Sequence, residues 1–205
     1  MVPIEESLKN IWKKQEDCKI KFTKEEINDM IYQKSSSVVK WILIISILEF
    51  ILPNIFLLFT DYNSSIEFYK KYDLTNIMKV YFIIHFIVIL IFIYIFYKNY
   101  KNISVGNSVK ELMKNIIKTR KTVKYYIYYN IGMAAIVGIH IFFEVFSSDT
   151  FKETLPENAN LITIWILALL IFSIVLLIFW GIYIAIYGFL LKKLKINYAE
   201  LKKNG

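Results

Sequence analysis

A chain of 205 residues would ordinarily make one or two soluble domains, but 57% of its residues are hydrophobic and its mean hydropathy is +0.46, which excludes that class and makes lipid the expected solvent. The net charge of +8 at pH 7 does not collect in one basic domain. It follows the ends of the apolar segments, so it reads as a topology signal, and no nucleic-acid partner is expected. Cys18 is the only cysteine, which excludes an intrachain disulfide and a cysteine-based zinc site.

The first 37 residues are charged and lack the apolar core of a signal peptide, so the first membrane segment is expected to act as its own insertion signal. Residues 1–37 form an extension of amphipathic helices. Over residues 4–15, Ile4, Leu8, Ile11 and Trp12 fall at helical spacing. A second helix starts at Thr23, where Thr23 and Glu26 have capping-box spacing and Phe22 is placed to staple Ile27. Ile27, Met30 and Ile31 give it an apolar stripe. Neither helix is long enough to be stable alone in water. They must dock on the bilayer, on the rest of the chain, or on a protein partner held through residues 1–34, with Leu8, Ile11, Trp12, Ile27, Met30 and Ile31 as the docking residues.

From Ser35-Ser36-Ser37-Val38-Val39-Lys40-Trp41 the sequence turns apolar, and 41–59 is the first predicted span, with Lys40 and Trp41 at one boundary and Asp61 at the other. Glu49 is the anomaly, near its middle. The runs Leu8-Lys9-Asn10-Ile11-Trp12-Lys13-Lys14-Gln15 and Lys34-Ser35-Ser36-Ser37-Val38-Val39-Lys40-Trp41-Ile42 resemble an uncharacterised family of small flavobacterial membrane proteins, over residues 8–55. Members often carry the name beta-carotene monooxygenase. The resemblance implies a small four-span protein of the bacterial inner membrane and a carotenoid-related oxygenase activity. It supplies no functional residues.

The second span is 80–97, between Lys79 and Lys98. The third, 125–146, is less apolar, with Asn130, Gly132, Gly138, His140 and Glu144, which suits packing against protein. The fourth apolar run, 161–191, would measure about 46 Å as one helix and overshoots the hydrocarbon core, so a projecting end beside Lys192 and Lys193 is expected, with Trp165 and Tyr183 at the belts. Between the second and third spans, Ser108 and Glu111 begin a basic helix over 109–120. Its apolar side is Val109, Leu112, Met113, Ile116 and Ile117. Lys110, Lys114, Lys118, Arg120 and Lys121 either meet anionic lipid headgroups or simply mark the inner loop of a hairpin. Residues 192–205 make a basic tail. The predicted fold class is an all-α integral membrane protein: four transmembrane helices over residues 38–191 with a short N-terminal helical extension.

Lys and Arg number eight in residues 1–40, eight in 98–124 and five in 192–205, against two in 60–76 and one in 147–160. That asymmetry places both termini in the cytoplasm. Four ionisable groups then lie at membrane depth: Glu49, His85, His140 and Glu144. Ser46, Glu49 and Pro53 share one helical face and His140 and Glu144 another, and antiparallel spans bring Glu49 near His85. Such groups face a bundle interior, either as a proton or ion path or as a hydrogen-bonded set that fixes helix register. The same four residues have ligand chemistry for one metal ion, but their spacing matches no signature, and no metal or cofactor is expected. There is no phosphate loop, nucleophile elbow or CxxC. Ala134 with Gly138, and Gly181 with Ala185, have the spacing for close helix approach, within the bundle or between copies in a homo-oligomer. The leading functional reading is a non-enzymatic, membrane-anchored interaction or regulatory module; the alternative is a small oligomeric channel or proton-coupled transporter using Glu49, His85 and His140.

Overall fold

The computed structural model describes residues 23–57, 59, 62–104, 108–156 and 159–204. The helix expected over 4–15, with Leu8, Ile11 and Trp12, lies outside them, as do Cys18, Asp61 and Glu157. The described residues form six helices and no strand: α1 (Lys24–Leu57), α2 (Tyr62–Lys71), α3 (Thr75–Ser104), α4 (Val109–Ser147), α5 (Asp149–Lys152) and α6 (Leu161–Asn204). Four of them, α1, α3, α4 and α6, are long and apolar enough to cross a membrane. The chain is an all-α multi-pass membrane protein.

The two capping signals start helices where expected. Thr23 and Glu26 form a reciprocal box, with Glu26 N–H donating to Thr23 Oγ1 at 3.2 Å and Thr23 N–H donating to the Glu26 carboxylate at 2.7 Å. Ser108 caps α4 by accepting from Glu111 N–H. Neither helix stops where a separate amphipathic helix would end. No Gly or Pro interrupts residues 23–40 or 109–124, so the helix that starts at each cap runs unbroken into the span that follows. The expected helix at Thr23 and the first span are one helix of 34 residues, and the basic helix and the third span are one of 39. The tail 192–204 likewise continues α6, which reaches 44 residues.

At 1.5 Å per residue these helices measure about 51, 59 and 66 Å, well beyond a hydrocarbon core of roughly 30 Å. All four long helices extend at one end of the bundle past a lysine, Lys40, Lys98, Lys124 or Lys192, and in α6 the stretch before Lys192, about 46 Å, by itself exceeds the core. Round the bundle α1 neighbours α3, α3 neighbours α4, α4 neighbours α6 and α6 closes on α1. The buried core sits mainly toward that basic end: Ile31, Val38, Val39 and Ile42 from α1, Phe96 and Ile103 from α3, Leu112, Ile116 and Val123 from α4, Leu194 and Leu201 from α6. Toward the opposite end Ile139, Phe143, Ile166, Ile171 and Leu177 are exposed, the surface hydrocarbon would cover.

Two hydrogen bonds join helices inside the basic end, where Asn28 Oδ1 and Asn99 Nδ2 are buried without a partner. Asn197 Nδ2 donates to Ser35 Oγ at 2.9 Å, joining α6 to α1 through two buried side chains. Tyr32 O–H donates to the Ser108 carbonyl at 2.6 Å, tying α1 to the cap of α4.

Candidate functional site

Ile42, Ser46 and Glu49 recur at helical spacing on α1, and the first two are fully buried, so the Glu49 side chain is carried inward with them. Two phenols meet it from two other helices. Tyr126 O–H on α4 donates to Glu49 Oε2 at 2.6 Å, within the range of a charge-assisted O–H···O bond, and Tyr187 O–H on α6 donates to the same oxygen at 3.1 Å. Both tyrosines are almost wholly buried. Phe92 and Phe96 of α3 meet Tyr126 edge-on at 5.3 and 5.4 Å, and Tyr183 stacks on Tyr187 at 5.9 Å. The carboxylate thus ties α1 to α4 and α6, and α3 packs on the Tyr126 ring that reaches it.

The contact sets the register of three helices. Tyr126 lies two residues past Lys124 and Tyr187 five before Lys192, about 3 and 8 Å along their helices. Glu49 itself lies nine residues past Lys40, about 14 Å along α1, so the lysines of the three helices do not mark one level around the site. Tyr183, expected at a membrane belt, stacks within the bundle instead.

On the side of Glu49 away from the basic end lies a half-open cavity of about 260 Å³, reaching past Pro53, Asn54 and Asn130 to Phe82 and His85. Pro53 lies four residues after Glu49 inside α1. It has no N–H to give the Glu49 carbonyl, which loses its intrahelical donor beside the cavity. The Asn54 and Asn130 amides turn back onto their own helices, donating to the carbonyls of Phe50 and Tyr126. His85 stacks on Tyr129 at 5.8 Å, and its Nδ1 is buried without a hydrogen-bond partner. The expected meeting of Glu49 and His85 takes this form: they line one cavity and do not bond.

A family match spans residues 25–204 and so takes in the four long helices and every residue of this cavity. The chain belongs to the family described as domain of unknown function DUF8845. No curated protein and no solved structure matches it. The DUF8845 match begins after Leu8, Ile11 and Trp12, so it takes in only the second of the two expected docking helices.

The remaining predicted residues are dispersed over the DUF8845 bundle. His140 and Glu144 form their own pair at 3.9 Å, with His140 against the ring of Tyr81, and take no part in the cavity. No group of three His, Cys, Asp or Glu side chains able to hold a metal occurs among the described residues, so Glu49, His85, His140 and Glu144 do not assemble into one centre. Ile31 is fully buried and Ile27 packs against the same core, while Met30 is half-buried. Leu112 and Ile116 are buried likewise, so α4 does not lie on a lipid surface by that face. Lys110, Lys114, Lys118 and Lys121 are exposed, and Arg120 is half-buried with Nε unpartnered. Gly138 is a point of close approach, since a Cβ there would fall 2.3 Å from the Phe172 ring on α6. Gly181 has open space about it, and Ala134 and Ala185 face outward.

Tyr126 and Tyr187 are the residues that sequence reasoning missed. A faint signal existed: Tyr183 and Tyr187 are four apart on one face, and Tyr126 sits in a run with Tyr125, Tyr128 and Tyr129. Tyrosine near the end of a span fits the membrane belt equally well, which hides an inward-facing one.

Proposed function

We propose that this protein is a non-enzymatic, membrane-anchored interaction module of the bacterial inner membrane, with both termini and the basic end of the bundle in the cytoplasm. Its working surface is the projection formed by 24–40, 98–104, 109–124 and 192–204. The observation that carries this reading is where the packed core lies: the chain places most of its buried side chains at that end, building a packed body beyond the lysine boundary. Lys and Arg number sixteen in these segments against five Asp and Glu, so the surface fits an acidic protein partner. Anionic headgroups are a weaker fit for its far end. Lys110 lies about 21 Å along α4 from Lys124, more than two Debye lengths at physiological salt.

In mild detergent, a protein partner should co-purify with the wild type and with Glu49→Gln, and be lost when Lys110, Lys114 and Lys118 are changed together to Glu. Orientation has its own test. Cys18 should resist a membrane-impermeant maleimide in intact spheroplasts and react after lysis; equal labelling in both would overturn the assigned topology.

The cavity shared by Glu49 and His85 favours a second reading, a small proton-coupled channel or transporter. Robust pH-driven flux by the wild type in proteoliposomes, abolished in a well-folded Glu49→Gln variant, would replace the interaction reading with that one. A carotenoid-related oxygenase, implied by the resemblance, draws no support from the site: His140 lies about 16 Å along α4 from Tyr129, the residue on which His85 stacks.

A further inference from the structure

The cavity above Glu49 has a chemistry that the interaction reading leaves unused. We propose that it binds a small hydrophobic ammonium ion, with the N–H donors at Glu49 and the apolar part among Phe50, Phe82 and Phe86. Both phenols donate to Oε2, so Oε1 takes a donor from neither. The Glu49 main-chain carbonyl, deprived of its helical donor by Pro53, is a further acceptor beside the same space.

Charge selects the sign of the ligand. No Lys or Arg lines the cavity, so a carboxylate held at membrane depth has no cation there to balance it. An anion would be repelled by the ionised carboxylate, and an ammonium ion supplies the counter-charge that a neutral ligand lacks. Phe50, Phe82, Phe86 and Tyr183 make much of the wall, and such side chains suit a ligand that carries an aryl group beside its charge. At about 260 Å³ the space is just below the roughly 300 Å³ at which sites for drug-sized ligands begin. A primary ammonium carrying one aryl group suits that size, and Phe82, 54% exposed, leaves the mouth open to it.

The probe is radiolabelled 2-phenylethylammonium, equilibrated by dialysis against the purified full-length protein in nanodiscs, with empty nanodiscs subtracted. Saturable binding at one site per chain is expected. Glu49→Gln should weaken it at least ten-fold, and unlabelled 2-phenylethanol, which has the same aryl arm without the charge, should fail to compete. Absence of saturable binding, equal competition by the alcohol, or unchanged affinity in Glu49→Gln would each overturn the assignment. Should Glu49→Gln fail to fold, Phe82→Ala decides, because that exposed side chain can be lost without opening the core. A several-fold weaker affinity supports the site, and an unchanged one removes it. Proton flux is no part of this measurement, so its outcome is independent of whether the protein transports.

Discussion

Val39, Ile116 and Leu194, on the basic side of Glu49, are fully buried, whereas Ile139, Ile171 and Leu177, on the other side, are each more than half exposed. The same four helices supply both sets. The difference follows from the solvent each half meets. Past the lysines, apolar side chains must pack together or face water, so the helices close on one another and the stripes of α1, α4 and α6 become a core. Within hydrocarbon, outward Ile and Leu cost nothing, and helices are held by a few close approaches and polar contacts instead. Glu49 with Tyr126 and Tyr187 sits where one regime gives way to the other, closing the packed half and flooring the cavity of the open half.

The largest expected effect tests the packed half directly. Phe96 is fully buried against Tyr126, and Phe96→Ala should cost about 3 to 5 kcal/mol of stability. Ile171→Ala, on a residue 60% exposed, should cost a small fraction of that. Thermal unfolding in detergent, followed by circular dichroism, measures both, and equal losses would erase the distinction between the halves.

The next effect lies at the boundary. Tyr126→Phe removes the shorter of the two hydrogen bonds to Glu49 and should lower stability by about 1.5 to 3 kcal/mol, with Tyr187→Phe costing less because its bond is longer. If both changes are neutral in the same unfolding assay, the carboxylate does not hold the helices in register.

Gly138 probes the open half at a point of close helix approach. A methyl group there must displace the Phe172 ring, but that ring is only half-buried and has room to move outward. Gly138→Ala should therefore cost about 1 kcal/mol, the low end for overpacking. A loss as large as that of Phe96→Ala would mean that this half is as rigid as the other.

The smallest effect belongs to the loop at the end opposite the projection. A hydrogen bond from Lys152 Nζ at 2.8 Å, together with its charge, holds the Asp149 carboxyl below the ordinary carboxylate range. A lowered folded value means that the pair's contribution is present above the unfolded value and disappears as pH falls through the folded one. Because the pair is open to solvent, Asp149→Asn should leave the thermal midpoint at pH 7 unchanged within error. A marked drop at pH 7 would show that this loop carries structural weight.

The amino-acid sequence by itself determined that this is a helical membrane protein with four spans, because runs of apolar residues of spanning length are a property of the chain and need no partner to be read. It determined the starts of α1 and α4 through Thr23 with Glu26 and Ser108 with Glu111, since caps are local hydrogen bonds. It marked Glu49 as an inward group, because an acid in an apolar run has few other tolerable places. Only the tertiary structure decided that each capped helix continues into a span, that Ile27, Ile31, Leu112 and Ile116 face their own core, and that Glu49 meets Tyr126 and Tyr187 while His140 stays apart. The local sequence of 24–40 and 109–124 suits a helix on a lipid surface and a helix in a bundle equally well. What separates them is the register of α1, α4 and α6 against one another, fixed by side chains far apart in the chain, such as Ser35 with Asn197.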